Sequence, residues 1–386
     1  MARIRARLLF SFFIAMIKKI FTFILALIIF IAPAYANDWQ PEIRLGILTG
    51  VQSVQLQISK PCVLLDSATR KIIKNINANE KFTVKFSDLK SNAVEIRSEN
   101  FPLKDLIVTI DDKKYFGSVR INKNKSSLTV INLAPVEEYL RGVVPTEMSP
   151  SFHEEALKAQ TVAARSFTLK NRSRHSAEGY DLCATTHCQK YNGADSAHNI
   201  TDEIIKATRG EVLMNGGLIV DTNFHTDSGG MTESVENVWG GYAAHLLPVE
   251  ELEKNTYHWQ KEFSAEDFSS RFGENFGKLK EIKLSPLEIG KSAADRTTSG
   301  RVKTAQIIGT KKTLQLTGNE LRSKFSLPST LFDIKISHGK IIFEGYGYGH
   351  GVGMSQNGAN AYAKSGWDYK KILAHYYRNT ILKKLY

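Results

Sequence analysis

Glu147 is the side chain with the most chemistry to offer. It lies in Tyr139-Leu140-Arg141-Gly142-Val143-Val144-Pro145-Thr146-Glu147-Met148. A carboxyl held against Val144, Pro145 and Met148 is partly desolvated, which raises its pKa and suits it to act as a general acid. The competing reading is an acid complementing the macrodipole of a helix that opens near Ser151, and residue type alone leaves both open. A second cluster lies in Tyr180-Asp181-Leu182-Cys183-Ala184-Thr185-Thr186-His187-Cys188-Gln189, with His175 upstream. Thiolate and imidazole bind zinc, and His175, Cys183 and Cys188 are the candidate ligands. In an oxidising compartment Cys183 and Cys188 could instead form a disulfide. Cys62 is remote from them and reads as buried and inert.

Two Gly-rich segments follow. Phe224-His225-Thr226-Asp227-Ser228-Gly229-Gly230 places a His near a Ser, but Ser228 lies in no G-x-S-x-G elbow, so it is not read as a nucleophile. The Gly pair implies close backbone approach, and His225 and Ser228 become candidate substrate contacts. Gly345-Tyr346-Gly347-Tyr348-Gly349-His350-Gly351-Val352-Gly353-Met354-Ser355-Gln356 lacks the G-K-[ST] of a phosphate loop. Glycine at every second position predicts a strand-like ribbon with one bare edge, and the rings suit sugar faces. His350 and Gln356 are its candidate contacts; the bland alternative is a tight core turn.

The elements that must position these groups are mixed. Ile43–Leu48, Val54–Ile58, Phe82–Phe86, Leu106–Ile110 and Leu128–Ile131 read as strands, with a turn at Pro135. Ser151 is a candidate cap for a helix over His153–Lys170, whose Ala156, Ala159, Ala163 and Phe167 share one face. Further helices are expected over Asp202–Thr208 and Tyr369–Tyr377, and strands over Leu218–Phe224, Ala305–Ile308 and Ile341–Phe343. The pattern predicts an α+β protein: a β-rich lobe over 37–127 joined to a mixed helix and strand region over 128–386. Repeats are absent, which excludes solenoids.

Of the 386 residues 42% are hydrophobic and 23% charged, so the chain is globular rather than disordered. The net charge is +12; residues 1–36 hold five of the cations and no acid, which leaves +7 on the remainder. Lys18 and Lys19, the apolar Ile20–Ile31 and the exit Ala34-Tyr35-Ala36 predict a signal peptide over 1–36, cleaved after Ala36. Met16 would serve equally as the start, and a retained anchor is the alternative. Export argues against nucleic acid and points a basic protein toward an acidic polymer of the cell wall.

These segments, in this order, resemble the SpoIID/LytB family of bacterial cell-wall proteins. The match includes Tyr139–Met148, Glu155–Ser166, Thr185–Tyr191, Thr208–Leu213, His225–Gly230 and Val238–Gly240. It continues through Ser299–Val302, Leu316–Arg322 and Gly345–Gly358. The resemblance implies a lytic transglycosylase that cuts peptidoglycan glycan strands, preferably stripped of stem peptides, alongside a cell-wall amidase. It places the catalytic Glu on Glu147 and a basic pair on Lys158 and Arg165. Catalysis would need no cofactor; a structural zinc is what the Cys/His cluster implies. Other members are described as amidase enhancers, so a non-catalytic glycan-binding role is the alternative.

One carboxyl suffices for such chemistry. Most glycosidases need two, but here the 6-hydroxyl of muramic acid is the nucleophile. One Glu protonates the leaving oxygen and then accepts the hydroxyl proton. Arg165 is expected to bind the lactyl carboxylate that a stripped strand leaves free.

Overall fold

Period-two burial builds the first third of the protein. The computed structural model describes residues 39–386, so the expected signal peptide and its cleavage site lie outside the described residues. In Ser53–Ile58, Val54, Leu56 and Ile58 are buried while Ser53 and Gln55 face out, as half-buried strands require. Among the described residues ten strands precede the first α-helix: β1 (Glu42–Val51), β2 (Ser53–Ile58), β3 (Cys62–Asp66), β4 (Ile72–Ile76) and β5 (Lys81–Lys85), then β6 (Ala93–Arg97), β7 (Ile107–Ile110), β8 (Lys113–Phe116), β9 (Ser118–Lys123) and β10 (Leu128–Pro135). Four form a sheet ordered β5-β2-β7-β8. The others join β11 (Leu182–Cys183) in a seven-stranded sheet ordered β11-β1-β10-β9-β6-β3-β4. β10 lies between β1 and β9 and is buried along its whole length. The expected boundary at 127/128 therefore falls between two paired strands of one sheet.

Three helices follow: α1 (Val136–Glu147), which holds Glu147, α2 (Glu154–Lys170), which holds Lys158 and Arg165, and α3 (Asn199–Ala207). α1 was not expected: the sequence reads Glu147 as a loop residue between an apolar stretch and the helix opening near Ser151, and a proline inside a helix is unfavourable. The proline sits in the last turn, where losing one backbone donor costs little. Thr146 Oγ1 lies 3.0 and 2.8 Å from the carbonyls of Gly142 and Val143 and covers that end of the helix. The cap of α2 is His153 rather than Ser151: its Nδ1 accepts from the Glu155 N–H at 3.3 Å. The alanine face is wholly buried, as its small residues imply.

The rest of the chain has two cores. Met148, Leu157, Val162, Val352, Met354 and Tyr377 belong to one, around α2. It also draws on β12 (Glu211–Asn215), Val220 just after β13 (Leu218–Ile219), β14 (Phe224–His225) and α4 (Val235–Trp239). The second is a phenylalanine cluster with Phe268, Phe325, Phe332 and Phe343 at its centre. β15 (Trp259–Ser264), α5 (Ala265–Ser270), β16 (Leu279–Lys283), β17 (Thr304–Gly309), β18 (Thr313–Thr317), α6 (Gly318–Phe325), β19 (Phe332–Ser337) and β20 (Lys340–Gly345) build it as two three-stranded sheets with two helices. The chain then returns through β21 (Met354–Ser355), α7 (Gln356–Lys364), α8 (Tyr369–Tyr376) and β22 (Ile381–Lys384). Among the described residues no helix is long and apolar enough to cross a membrane.

The Gly-rich segment is not the extended ribbon its alternation predicts. Gly347, Gly349, Gly351 and Gly353 all have positive φ, from 71° to 112°, a region that glycine enters without strain. Period two here records a chain of left-handed corners. At Gly351 a Cβ would also lie 2.6 Å from the Arg301 guanidinium carbon.

Candidate functional site

Glu147 is the last residue of α1 and is half-buried. Its Oε1 accepts the backbone N–H of Lys190 at 2.6 Å. Burial raises its pKa above the ordinary glutamate range, against the opposing pull of the Lys190 amide and ammonium. The C-terminal end of a helix disfavours negative charge and acts in the same direction as burial. The helix-start alternative fails, since Glu147 closes a helix instead of opening one. Thr146 Oγ1 lies 2.8 Å from the Lys190 carbonyl, so consecutive residues of α1 hold the N–H and the C=O of one residue in the 184–191 loop.

That loop carries two residues, His187 and Cys188, of a Cys/His cluster. His175, Cys183, His187 and Cys188 bring their ligand atoms within 4.8 Å of one another. His175 Nε2 is 3.3 Å from His187 Nδ1, and Cys188 Sγ is 3.4 Å from His175 Nε2 and 3.7 Å from His187 Nδ1. Cys183 Sγ is also 3.7 Å from His187 Nδ1. A tetrahedral zinc with ordinary Zn–N and Zn–S bonds needs edges of about 3.4–3.8 Å, so the four donors fit that ion. His175 Nδ1 meets Glu178 Oε1 at 3.3 Å, the carboxylate backing typical of a ligand imidazole. The cysteines are not bonded to each other. His187 completes the set that the sequence reading left at three; its place between the two cysteines was the available signal. Cys62 is buried in β3, and burial pushes its thiol pKa up.

Arg165 does not reach a substrate. Its side chain is fully buried, with Nε and Nη2 on the two oxygens of Glu137 at 2.9 and 2.7 Å and Nη1 on the Glu211 carbonyl. The expected carboxylate clamp is a structural ion pair between α2 and α1: one helical turn places Arg165 on the buried face. Lys158 lies on Glu154 at 2.7 Å and Glu155 at 2.8 Å, and those hydrogen bonds raise its pKa.

The two Gly-rich motifs form one unit. β14 and β21 pair in parallel, Phe224 with Met354 and His225 with Ser355, and Asp227 bridges Tyr348. His225, Ser228 and Gln356 are all buried. His225 Nδ1 donates to the Val352 carbonyl at 3.2 Å; burial and the nearby His350 and Arg301 hold its pKa well below the usual value. The hydroxyl of Ser228 donates to Glu251 Oε1 at 3.1 Å, consistent with its not being a nucleophile. His350 is partly open, and burial with the charges of Arg322 and Arg301 lowers its pKa to about 3. Sequence reasoning assigned no role to Glu251, Arg301, Arg322 or Trp239. For the last three the signal was there, in Ser-Gly-Arg, Asn-Glu-Leu-Arg and Val-Trp-Gly.

Residues 124–215, which hold Glu147 and the Cys/His cluster, match the model of the family described as SpoIID, stage II sporulation protein. Over 262 residues the chain is 32% identical to stage II sporulation protein D of Bacillus amyloliquefaciens, covering 63% of this chain and 73% of that protein. The chain belongs to the stage II sporulation protein D family. An uncharacterized protein of Brachyspira hyodysenteriae is also 32% identical, over 75% of this chain and 78% of its own length. The amidase enhancer of Bacillus subtilis is 30% identical over 75% of this chain but only 47% of itself. Residues 244–353, the phenylalanine-cored region and most of the Gly-rich segment, match a separate domain model of unknown function. In this member of the family, Glu147 and the Cys/His loop thus lie in one matched region, and Arg301, Arg322 and His350 in the other.

Proposed function

We propose that this protein works on the bacterial cell wall as an exported peptidoglycan lytic transglycosylase. It cuts glycan strands, preferably peptide-stripped, and leaves 1,6-anhydromuramic ends. The observation that carries this reading is the state of Glu147: a half-buried carboxyl at a helix C-terminus, pKa raised, with one oxygen fixed by a backbone N–H. Its held oxygen fixes orientation; the other is left for the glycosidic oxygen and then for the 6-hydroxyl proton. His175, Cys183, His187 and Cys188 would hold a structural zinc, whose chemistry is to cross-link the loop that ends on Glu147. Incubating the mature chain with amidase-treated peptidoglycan should release anhydromuramic products detectable by mass spectrometry.

The similarity to a protein named amidase enhancer supports a second reading: a non-catalytic glycan binder that stimulates a cell-wall amidase. Stimulation of an amidase with no anhydro product on any glycan would establish it in place of the first.

A further inference from the structure

Lys190 is exposed, yet the residues on either side of it are buried: Gln189 is 1% and Tyr191 3% exposed. Buried polar side chains need partners, and these two find them on different walls. Gln189 Oε1 accepts from the Tyr139 hydroxyl of α1 at 3.2 Å and lies 2.8 Å from Thr168 Oγ1 of α2. Its Nε2 donates to the Ala164 carbonyl of α2 at 3.2 Å. The amide therefore bridges α1 and α2, with both of its polar atoms engaged.

Tyr191 reaches the strands. Its hydroxyl donates to Asn132 Oδ1 at 3.0 Å. Asn132, fully buried in β10, donates in turn to the carbonyls of Phe116 in β8 at 2.9 Å and Ser118 in β9 at 3.0 Å. The Tyr191 ring lies 4.9 Å from that of Tyr139 and 5.7 Å from that of Tyr115. It also packs on Gly142 of α1, where a Cβ would stand 2.4 Å from it. Further along the same loop, Asp195 Oδ2 accepts the Lys114 N–H of β8 at 3.0 Å. β8 and β9 precede both regions matched by domain models, and here they brace the loop that meets Glu147.

The residue between these two pegs gives its N–H to Glu147 Oε1 and turns its carbonyl to Thr146 Oγ1. A backbone donor is placed by its neighbours, not by its own side chain. The ligands His187 and Cys188 fix the chain on one side of Lys190 only, whereas Gln189 and Tyr191 flank it. Both pegs also run back to α1, through Tyr139 and Gly142, and Glu147 closes that helix. We infer that Gln189 and Tyr191 are positioning residues: they clamp Lys190 so that its N–H aims the Glu147 carboxyl, and β8, β9 and β10 supply one side of the clamp. The inference rests on the reading of Glu147 as the acid and names what aims it.

The test reads the donor and the reaction separately in the full mature chain. With isotope-labelled lysine, the Lys190 amide, assigned by its loss in Lys190→Arg, reports its own hydrogen exchange by NMR. Gln189→Met keeps the volume and removes the hydrogen bonds of the amide, so Lys190 exchange should speed up at least about tenfold. A misplacement of ~1 Å can cost on the order of 10²-fold, so kcat for anhydro-product release should fall toward that factor while KM changes less than about twofold. Tyr191→Phe keeps the ring, cuts only the bond to Asn132 and should act the same way to a smaller degree. Zinc content in both variants should match the wild type. Unchanged Lys190 exchange, an unchanged kcat, or a fall in activity carried by KM alone overturns the proposal. Loss of zinc alongside faster exchange also overturns it, since the Cys/His cluster would then be the agent. Should Gln189→Met fail to fold, Tyr139→Phe takes its place, removing one donor to Gln189 while keeping the packed ring, and the same outcomes decide. A wild type that releases no anhydro product removes the transglycosylase reading, and the exchange measurement then decides the clamp alone. Product from the wild type with unchanged exchange in the variants does the reverse.

Discussion

The backbone N–H of Lys190 donates to Glu147 Oε1 at 2.6 Å, two residues beyond Cys188. Two ligands of the Cys/His cluster, His187 and Cys188, and the donor to the candidate acid therefore lie within four consecutive residues. What orders the four ligands also orders the donor that aims the carboxyl.

Glu147→Gln keeps the shape and removes the proton donor. General acid catalysis is typically worth ~10²–10⁴-fold, so release of anhydromuramic ends should fall by that factor while glycan binding survives. Because burial raises the Glu147 pKa, the acid form persists above the usual glutamate range. Activity should decline on the alkaline side of that raised pKa, and a pH–rate profile reads the limb directly. Near-normal turnover in the variant would remove the general-acid assignment.

Arg165→Ala should cost stability. It removes the bidentate cation from a buried carboxylate, and breaking such a buried pair costs about 3–5 kcal/mol. The expected result is a large drop in thermal midpoint or no soluble protein. Replacing both partners with apolar residues (Glu137→Leu with Arg165→Met) should recover much of the loss. If Arg165→Ala folds with an unchanged midpoint but loses affinity for stripped strands, the burial-based assignment is wrong.

Legibility in the sequence tracked the range of the interaction. Strands β1, β2, β5 and β7 could be read from local alternation, and α2 and α8 from local periodicity. The partial burial of Glu147 and its raised pKa, though not its role, could be anticipated from its apolar sequence neighbours Val144, Pro145 and Met148. Arg165 was misread because its partner, Glu137, lies 28 residues away on another helix, and no local pattern separates a buried guanidinium from an exposed one. α1 was missed since a proline near a helix end looks the same in sequence as a proline that ends it. The left-handed corners of the Gly-rich segment share period two with a strand, and they are distinguished by positive φ and by close approaches to residues far away in sequence, such as Gly351 to Arg301.

The zinc reading makes a countable prediction. Metal analysis should find about one zinc per chain, and Cys183→Ser or Cys188→Ser should lose it together with several degrees of thermal midpoint. Chelation should also reduce anhydro-product release, because the Lys190 amide would no longer be held on Glu147. Thiol titration of the unfolded, metal-free chain should return all three cysteines. Only one free thiol would show a disulfide and end the zinc assignment.

Glu251 supplies a stability test independent of catalysis. It is 9% exposed, and burial raises its pKa from 4.5 to about 7, against the hydrogen bonds from Tyr376 at 2.7 Å and Ser228 at 3.1 Å. The unfolded chain keeps the ordinary value, so the folded state binds the proton more tightly. Its stabilising contribution is complete below about pH 4.5 and is lost as pH rises through about 7. With each pKa unit worth about 1.4 kcal/mol, the loss is on the order of 3 kcal/mol. Glu251→Gln has no proton to lose and is of similar size, so it should gain stability relative to wild type as pH rises from 5 to 8.5. Denaturant midpoints at those two pH values measure the change. A wild-type-minus-variant difference that stays flat, or moves the other way, would mean that the carboxyl is ionised in the folded protein at neutral pH.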